Sequence, residues 1–201
     1  MKKILVGITG GIGSGKSLVS IFFEKKGFTV LKSDLIAKDL MTNDLKIKQR
    51  IIKSFGDNSY RNGKLDTKFL SENVFCSQEK VSIINSIVHP AVLKKNKQIA
   101  KNEFEKNNIV FVESALIYEA HIENEFDYII LIYSEEEIRI SRAIKRDRIT
   151  KEHVVQRMKY QMPDEMKKEK ADFVVENNGS TNELNFKLNF VLNLLISITN
   201  Q

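Results

Sequence analysis

Residues 10–17 contain the sequence feature that most limits what this chain can fold into. Gly10, four further residues and then Gly15, Lys16 and Ser17 match the pattern of a phosphate-binding P-loop. A short apolar run precedes these residues and a helical pattern follows them, which is the strand–loop–helix context that the motif requires. The chain is therefore expected to contain a strand and a helix joined by this loop.

The residue types in the loop are those that hold the phosphates of a nucleoside triphosphate. Glycines let the backbone curl until its N–H groups face a phosphate, and the helix N-terminus adds positive potential. Lys16 supplies a mobile positive charge to the β- and γ-phosphates, and the Ser17 hydroxyl can ligate Mg²⁺. The predicted contacts with the nucleotide are Gly11, Ile12, Gly13, Ser14, Gly15, Lys16 and Ser17. A chance glycine-rich turn is the competing interpretation, and the flanking elements argue against it.

Short apolar runs alternate with helical patterns along the chain. Most of the runs lack polar alternation, which is typical of strands buried on both faces of a parallel sheet. The predicted strands lie at 4–8, 29–31, 109–112, 128–132 and 173–175, and the clearest helices at 16–26, 135–145 and 183–197. This order predicts an α/β fold with a doubly wound, parallel, five-stranded sheet flanked by helices. A length of 201 residues predicts a single domain, residues 1–201.

Two stretches are too long to be simple crossovers between strands. The stretch at about 35–107 has helical patterning and is predicted to be a substrate-binding insertion. Within it, Asp66 is expected to N-cap a helix, and Pro90 is expected in the first turn of another helix. The second stretch, at about 139–170, is rich in Lys and Arg and is predicted to be a helical lid.

Composition narrows the class of protein further. Cys76 is the single cysteine, so a disulfide within the chain and a cysteine-based metal cluster are both excluded. No segment reaches the roughly 20 apolar residues that a membrane span needs, and a cytoplasmic location is expected. The net charge of +6 suits phosphates, nucleotides or nucleic acid, but it also fits a set of solvated lysines.

Two further groups are candidates for chemistry by their position. Asp34 follows the second predicted strand, where a carboxylate can take a proton from an acceptor hydroxyl, although it can equally be the N-cap of the next helix. Arg139, Arg142 and Arg146 share a helix face at spacings of three and four residues. They can stabilise a transferring phosphoryl group from a closing lid, or they can form a solvated basic face.

Five more residues are candidates for binding or catalysis. Asn177 and Gly179 follow the fifth predicted strand, where a tight loop can offer backbone groups to a purine base or be a plain turn. Glu113 ends the third predicted strand and can assist Mg²⁺ through water. Glu119 follows soon after, and either carboxylate can also be a surface group. His89 precedes Pro90, and a lone histidine is more often structural than catalytic.

Taken together, these motifs resemble the bacterial dephospho-coenzyme A kinase family over nearly the whole chain. The matching segments are residues 7–17, 33–34, 87–90, 116–119, 142, 146–147, 171–172 and 177–179. The resemblance implies a P-loop kinase that transfers a phosphoryl group from ATP to the ribose 3′-hydroxyl of dephospho-CoA, with Mg²⁺. That reaction is the last step of coenzyme A synthesis.

The resemblance also implies roles for individual residues. Lys16, Asp34, Arg142 and Arg146 match the family's catalytic residues, with Asp34 as the base. Asp34, Lys38, His89 and Glu119 match substrate-binding positions. Residues 11–17, Asn177 and Gly179 match the nucleotide site, and Ser17 matches the magnesium ligand.

Some positions depart from the family pattern. Lys38 stands where the family usually has arginine, which keeps the charge but loses the bidentate fork. Ser33 breaks the family's Asp-Ala-Asp sequence, whose last residue Asp34 matches, and Ser114-Ala115 replaces a usual Ile-Pro. None of these departures affects Lys16 or Asp34.

Two other functions remain open from sequence. A nucleoside monophosphate kinase or another small-metabolite kinase shares the loop, the lid and the sheet. A nucleotide-dependent switch or a nucleic-acid-binding module is the alternative of another class, but no Asn-Lys-x-Asp motif is present, and residues 139–159 contain no aromatic residue. We therefore expect a small-molecule substrate and no nucleic acid or membrane partner. A monomer and a weak oligomer are equally compatible with the sequence.

Overall fold

The computed structural model describes residues 1–200. The strands are β1 (Ile4–Thr9), β2 (Thr29–Lys32), β3 (Tyr60–Arg61), β4 (Lys64–Leu65), β5 (Ile109–Glu113), β6 (Tyr128–Tyr133) and β7 (Phe173–Glu176). The helices are α1 (Lys16–Lys25), α2 (Ser33–Asn43), α3 (Leu45–Phe55), α4 (Thr67–Val74), α5 (Gln78–Glu103), α6 (Glu136–Asp147), α7 (Lys151–Met158), α8 (Asp164–Lys168) and α9 (Thr181–Thr199). The chain forms two compact units. The first unit is Met1–Lys32 together with the chain from Ile99 onward, and the second unit is Ser33–Gln98. None of these helices, within residues 1–200, is long and apolar enough to span a bilayer.

The first unit is built on a five-stranded parallel sheet in the order β2-β5-β1-β6-β7. All five predicted strands are present, and the predicted α/β fold with a five-stranded parallel sheet flanked by helices is confirmed. The strands β1 and β5 pair from Ile4↔Ile109 to Ile8↔Glu113, so the carboxyl ends of these central strands lie side by side. Ligands of open α/β sheets bind at such an edge.

The core explains why the strands are apolar on both faces. Ile4, Val6 and Ile8 of β1 are fully buried. Phe111 of β5 is stacked on Phe23 of α1, with ring centroids 4.0 Å apart and an angle of 14° between the rings. The helix α9 adds Leu184, Leu188, Leu192 and Leu195 to the same cluster. These leucines recur every three or four residues, which is the periodicity of one helix face.

The second unit contains α2, α3, α4, most of α5 and a short antiparallel hairpin of β3 and β4. Asp66 accepts a hydrogen bond from Phe69 N at 2.9 Å and caps α4, which confirms the sequence prediction. The hairpin was not predicted. Its turn is Asn62-Gly63 with φ angles of 50° and 77°, the sequence and backbone conformation that favour a tight hairpin.

Pro90 corrects one sequence expectation. It lies inside α5, which runs from Gln78 to Glu103, so the prediction that it begins a helix is wrong. Proline has no N–H for the carbonyl group four residues earlier, here Ser86. Arg50 Nη2 lies 3.5 Å from the Ser86 oxygen and partly replaces the missing donor. Buried Ile87 and Val88 on the same turns pack in the unit, and such packing outweighs the local preference of proline.

The stacked pair in the first unit generates a stability prediction. Phe111→Ala removes a fully buried ring, so we expect the free energy of unfolding to fall by about 3–5 kcal/mol. Phe186→Ala is the matched control, because Phe186 on α9 is 78% exposed and its loss should cost less than about 0.5 kcal/mol. Urea denaturation of both variants measures the difference. Equal losses would contradict the role given to the pair.

Candidate active site

The loop between β1 and α1 turns on residues in the left-handed region of backbone space. Gly13 and Gly15 have φ angles of 78° and 98°, which residues with a side chain rarely adopt. Gly15 is also the N-cap of α1, so the loop leads directly into the positive end of that helix. The backbone of residues 10–17 therefore has the curled form that suits an anion.

Other elements approach the loop so closely that side chains are excluded. A Cβ atom on Gly11 would overlap the Arg139 guanidinium, and one on Gly13 would overlap the Arg139 carbonyl group. A Cβ atom on Gly15 would overlap the side-chain amide of Asn177. The loop is thus held against α6 and against the segment that follows β7.

Lys16 is folded back over the loop. Its Nζ donates hydrogen bonds to the carbonyl oxygens of Gly10 at 2.8 Å and Gly11 at 3.2 Å. Since an ammonium group carries three donors on a flexible stem, it can transfer these bonds from the loop to a phosphate. The Lys16 charge therefore lies over the loop, and its contact with a phosphate stays a prediction.

Two oxygen-bearing side chains lie near the start of α1. Ser17 is the second residue of that helix and is exposed. Glu113 is the last residue of β5, and its Oε2 accepts a hydrogen bond from Ser20 Oγ at 2.6 Å. Hydroxyl and carboxylate oxygens are the hard ligands that Mg²⁺ takes from proteins, usually one or two at a time. The donor set at this end of the sheet therefore fits a magnesium ion.

A buried hydrogen-bond network joins Arg142 and Asn177 to the loop. Arg142 Nη1 donates to Ser134 Oγ at 3.1 Å and to the Asn177 carbonyl oxygen at 2.9 Å. Asn177 Nδ2 donates to the Ser14 carbonyl oxygen at 2.8 Å. The structure therefore brings together three predicted site residues, namely Ser14 of the loop, Arg142 of α6 and Asn177 of the segment after β7. Ser134, which follows β6, joins them without having been predicted.

The turn after β7 is fixed by its own contacts. Glu135 N donates to Asn178 Oδ1 at 2.9 Å, and a Cβ atom on Gly179 would overlap the Glu183 carboxylate. The Glu183 carboxylate of α9 thus fills the space beside Gly179 and would have to shift to admit a larger residue. A contact of Gly179 with a nucleotide stays a prediction.

Arg146 lies one turn of α6 beyond Arg142 and is exposed. Its Nε and Nη2 donate to the two carboxylate oxygens of the neighbouring Asp147, at 2.7 and 2.8 Å. These hydrogen bonds from Arg146 lower the pKa of Asp147 below its ordinary value. The guanidinium is on the surface, where such pairs are weak and easily exchanged.

Arg139 differs from Arg142 and Arg146 because its side chain is buried. It is 6% exposed, and it forms an ion pair with Asp164 of α8. Burial lowers the pKa of Arg139 from its ordinary value, but a guanidinium stays protonated in proteins. A buried charge needs such a partner, so Arg139 holds α8 in place beside the loop.

Gln161 is a contact of the loop that sequence reasoning missed. Its Oε1 accepts a hydrogen bond from Ile12 N at 2.9 Å. Gln161 also lines a cavity of about 500 Å³ in the first unit, together with Tyr133, Ser134, Glu136, Arg139, Val155, Met158, Lys159, Met162, Pro163, Asp164 and Glu165. Nothing in the local sequence identifies it, because a glutamine within a charged stretch follows no pattern.

Glu119 is engaged in a contact within the protein. Its Oε1 accepts a hydrogen bond from Met162 N at 2.7 Å and lies 2.8 Å from Nζ of the fully buried Lys167. The Lys167–Glu119 contact is an ion pair rather than a hydrogen bond. Lys167 Nζ is close enough to Glu119 Oε1 for a hydrogen bond, but the angle at the contact does not suit one. A contact of Glu119 with the substrate stays a prediction.

The remaining predicted residues belong to the second unit. Asp34 and Lys38 are exposed on α2 and are four residues apart, so they share one helix face. Asp34 is the second residue of α2, which begins at Ser33, so Asp34 is not the N-cap. His89 is partly buried inside α5.

Gly13 and Gly63 provide a matched test of the close approach at the loop. Their φ angles are 78° and 77°, but only Gly13 has a neighbour within 4 Å of an added Cβ, the Arg139 backbone. Each Gly→Ala change should cost about 1–2 kcal/mol in backbone strain. We expect Gly13→Ala to weaken ADP binding more than tenfold in calorimetry and Gly63→Ala to leave it unchanged. Equal affinities would contradict the packing argument.

Comparison with known proteins places the chain among kinases. The model of the dephospho-CoA kinase family matches residues 4–183. A dephospho-CoA kinase of Fusobacterium nucleatum is 36% identical over 185 residues, which cover 92% of this chain and 94% of that protein.

Solved structures agree with this result. A protein from Thermus thermophilus is 31% identical with a TM-score of 0.81, over 97% of this chain and 99% of that one. Dephospho-CoA kinase from Campylobacter jejuni is 28% identical with a TM-score of 0.71, over 98% of both chains. The family that the sequence motifs resemble is confirmed. The chain is a kinase that uses a nucleotide and a small-molecule substrate, and it belongs to the dephospho-CoA kinase family.

Proposed function

We propose that this protein transfers the γ-phosphoryl group of ATP to the ribose 3′-hydroxyl of dephospho-CoA, giving coenzyme A and ADP. The observation that carries the proposal is the curled loop between β1 and α1 with Lys16 folded over it, in a chain that matches the family model over residues 4–183. The loop accounts for the donor, and membership of the family supports the acceptor. A cytoplasmic location and the oligomeric state stay predictions.

The loop residues bind the phosphates of ATP in this proposal. Amide groups of the loop and the positive end of α1 face the phosphates, and Lys16 neutralises the phosphate charge. The Ile12 and Ser14 amides are exceptions, because they donate to Gln161 and to the Gly11 oxygen. Arg142 and Asn177 are already joined to the Ser14 carbonyl through their shared network. This network keeps the loop rigid, so little reorganisation is needed when the nucleotide binds.

Mg²⁺ fits the oxygen donors at the same end of the sheet. Ser17 would hold the ion directly, and Glu113 would assist through water. The bound ion supplies charge neutralisation to the β- and γ-phosphates. Ser20 keeps the Glu113 carboxylate in place through the 2.6 Å hydrogen bond to Oε2.

Asp34 is the proposed base. It is two residues beyond Lys32, the last residue of β2, and β2 pairs with β5 up to Lys32↔Glu113. An exposed carboxylate can orient the acceptor hydroxyl and accept its proton. Lys38 shares the Asp34 helix face and would contribute a positive charge toward the phosphates of the substrate, and His89 would bind substrate within the same unit.

Arg142 and Arg146 would stabilise the transferring phosphoryl group. The transition state spreads negative charge over the equatorial oxygens, and guanidinium donors interact with that charge most strongly when water is excluded. The Arg146 side chain is on the surface and paired with Asp147, so it can change partners at little cost.

Turnover on a panel of acceptors tests the substrate. We expect ADP release in the presence of ATP and Mg²⁺ to be fast with dephospho-CoA and near background with AMP, CMP and shikimate. The three other acceptors are controls for a P-loop kinase of different specificity. Fast turnover on one of them alone would overturn the proposed acceptor and leave the kinase fold intact.

Asp34→Asn tests the proposed base. The amide keeps the shape of the side chain but cannot accept the proton, so we expect kcat to fall about 10²- to 10⁴-fold with unchanged ADP affinity. Asp39→Asn is the matched control, because Asp39 is another exposed aspartate of α2. Circular dichroism of both variants should match the wild type. Normal kcat in Asp34→Asn would remove Asp34 from the mechanism.

A further inference from the structure

The hydrogen bond from Ile12 N to Gln161 Oε1, at 2.9 Å, joins the segment after α7 to the P-loop. We propose that Gln161 is a positioning residue that fixes the orientation of the Gly11–Ile12 peptide and so keeps the loop ready for the nucleotide phosphates. The inference rests on the proposed function only in requiring that a nucleotide binds at this loop. It does not depend on the identity of the acceptor.

The geometry of one peptide group explains how a side chain outside the loop can act on it. The Ile12 N–H and the Gly11 C=O belong to the same planar trans peptide, so they point in opposite directions. Gln161 accepts from the N–H end. At the other end, the Gly11 oxygen accepts from Lys16 Nζ at 3.2 Å and from Ser14 N at 3.2 Å. Fixing either end of the group fixes the other.

The peptide needs this constraint because glycines surround it. Gly10, Gly11 and Gly13 have no Cβ atom to resist rotation of the neighbouring peptide planes. A rotated Gly11–Ile12 peptide would lose the hydrogen bond from Ser14 N, which is the contact of the Gly11 oxygen that stays within the loop when Lys16 turns to a phosphate. Molecules with a rotated peptide cannot bind phosphates in the curled loop, so the apparent affinity falls with the fraction of competent molecules.

The backbone that follows Gln161 is fixed by contacts with largely buried groups. Met162 N donates to Glu119 Oε1 at 2.7 Å. Asp164 is paired with Arg139, and both side chains are 8% exposed. Gln161 is therefore carried on a segment that is anchored within three residues of it. A fixed acceptor of this kind is suited to holding the loop in one conformation, and it is not suited to being displaced when a nucleotide binds.

A displaceable contact is the opposite possibility, and it predicts an effect of the opposite sign. If Gln161 occupied a donor that the phosphates need, its removal would make nucleotide binding tighter. If Gln161 holds the peptide in its competent orientation, its removal makes binding weaker. The sign of the change in affinity therefore decides between the two.

The test is the dissociation constant of ADP with Mg²⁺, measured by calorimetry on the full-length protein. Gln161→Met keeps the length of the side chain but has no comparable acceptor, so we expect ADP to bind about tenfold more weakly, as for the loss of one hydrogen bond. Gln156→Met is the matched control, because Gln156 is an exposed glutamine of α7, and its ADP affinity should stay within twofold of wild type. Gln161→Asn shortens the side chain by one methylene group, so the amide oxygen no longer reaches Ile12 N. Its ADP affinity should resemble that of Gln161→Met.

Steady-state kinetics separates positioning from a general structural effect. We expect the KM for ATP to rise in Gln161→Met while the KM for dephospho-CoA and the melting temperature stay close to wild type. ADP affinity equal to or tighter than wild type in both Gln161 variants would overturn the proposal. If ADP binds as expected but dephospho-CoA is not turned over by the wild type, only the proposed acceptor fails.

Discussion

The close packing of α6 against the P-loop is the contact on which the rest of the first unit depends. The Arg139 carbonyl lies where a Cβ atom of Gly13 would be, and its guanidinium lies against Gly11. The loop is therefore rich in glycine for two reasons, the left-handed backbone and the lack of space. Because the same contact buries the Arg139 charge, a counter-charge is required, and Asp164 supplies it. The place of α8 beside the loop thus follows from how the loop itself is packed.

Buried polar groups, rather than apolar ones, connect the loop to the ends of the strands. Ser134 and Asn177 are 1% and 4% exposed, and each bonds to the other or to the loop. A buried polar group that loses its partner costs about 1–3 kcal/mol, so these contacts favour one arrangement of the loop over its alternatives. Arg142 takes part in the same network. Binding energy from a nucleotide is then not needed to order the site.

Local signals made much of the molecule predictable, and long-range contacts explain why the place of Pro90 and the role of Gln161 were not predicted. The strands, the P-loop and the Asp66 cap were predicted because each depends on residues near in sequence. The Asn62-Gly63 hairpin had an equally local signal that was overlooked. Pro90 was predicted to begin a helix but lies inside α5, because the packing of Ile87 and Val88 in the second unit outweighs the local preference of proline. Gln161 could not be predicted, because its partner Ile12 is 149 residues away and glutamine has no characteristic spacing. The identity of the acceptor, dephospho-CoA, was predicted from the resemblance to the kinase family and not from the pattern of residues.

The three arginines of α6 show why equal spacing on a helix does not mean equal function. Arg139 is buried and paired with Asp164, so moving it would expose a carboxylate and a guanidinium that the fold has already desolvated. Arg142 is bonded to the Ser134 and Asn177 network, and it can act on a phosphate only from a fixed place. Arg146 is on the surface, and its bond to Asp147 is readily exchanged with solvent. Burial therefore divides one basic face into a structural charge, a preorganised charge and a mobile charge. In the proposed reaction, the last two are the ones that can respond to a phosphoryl group.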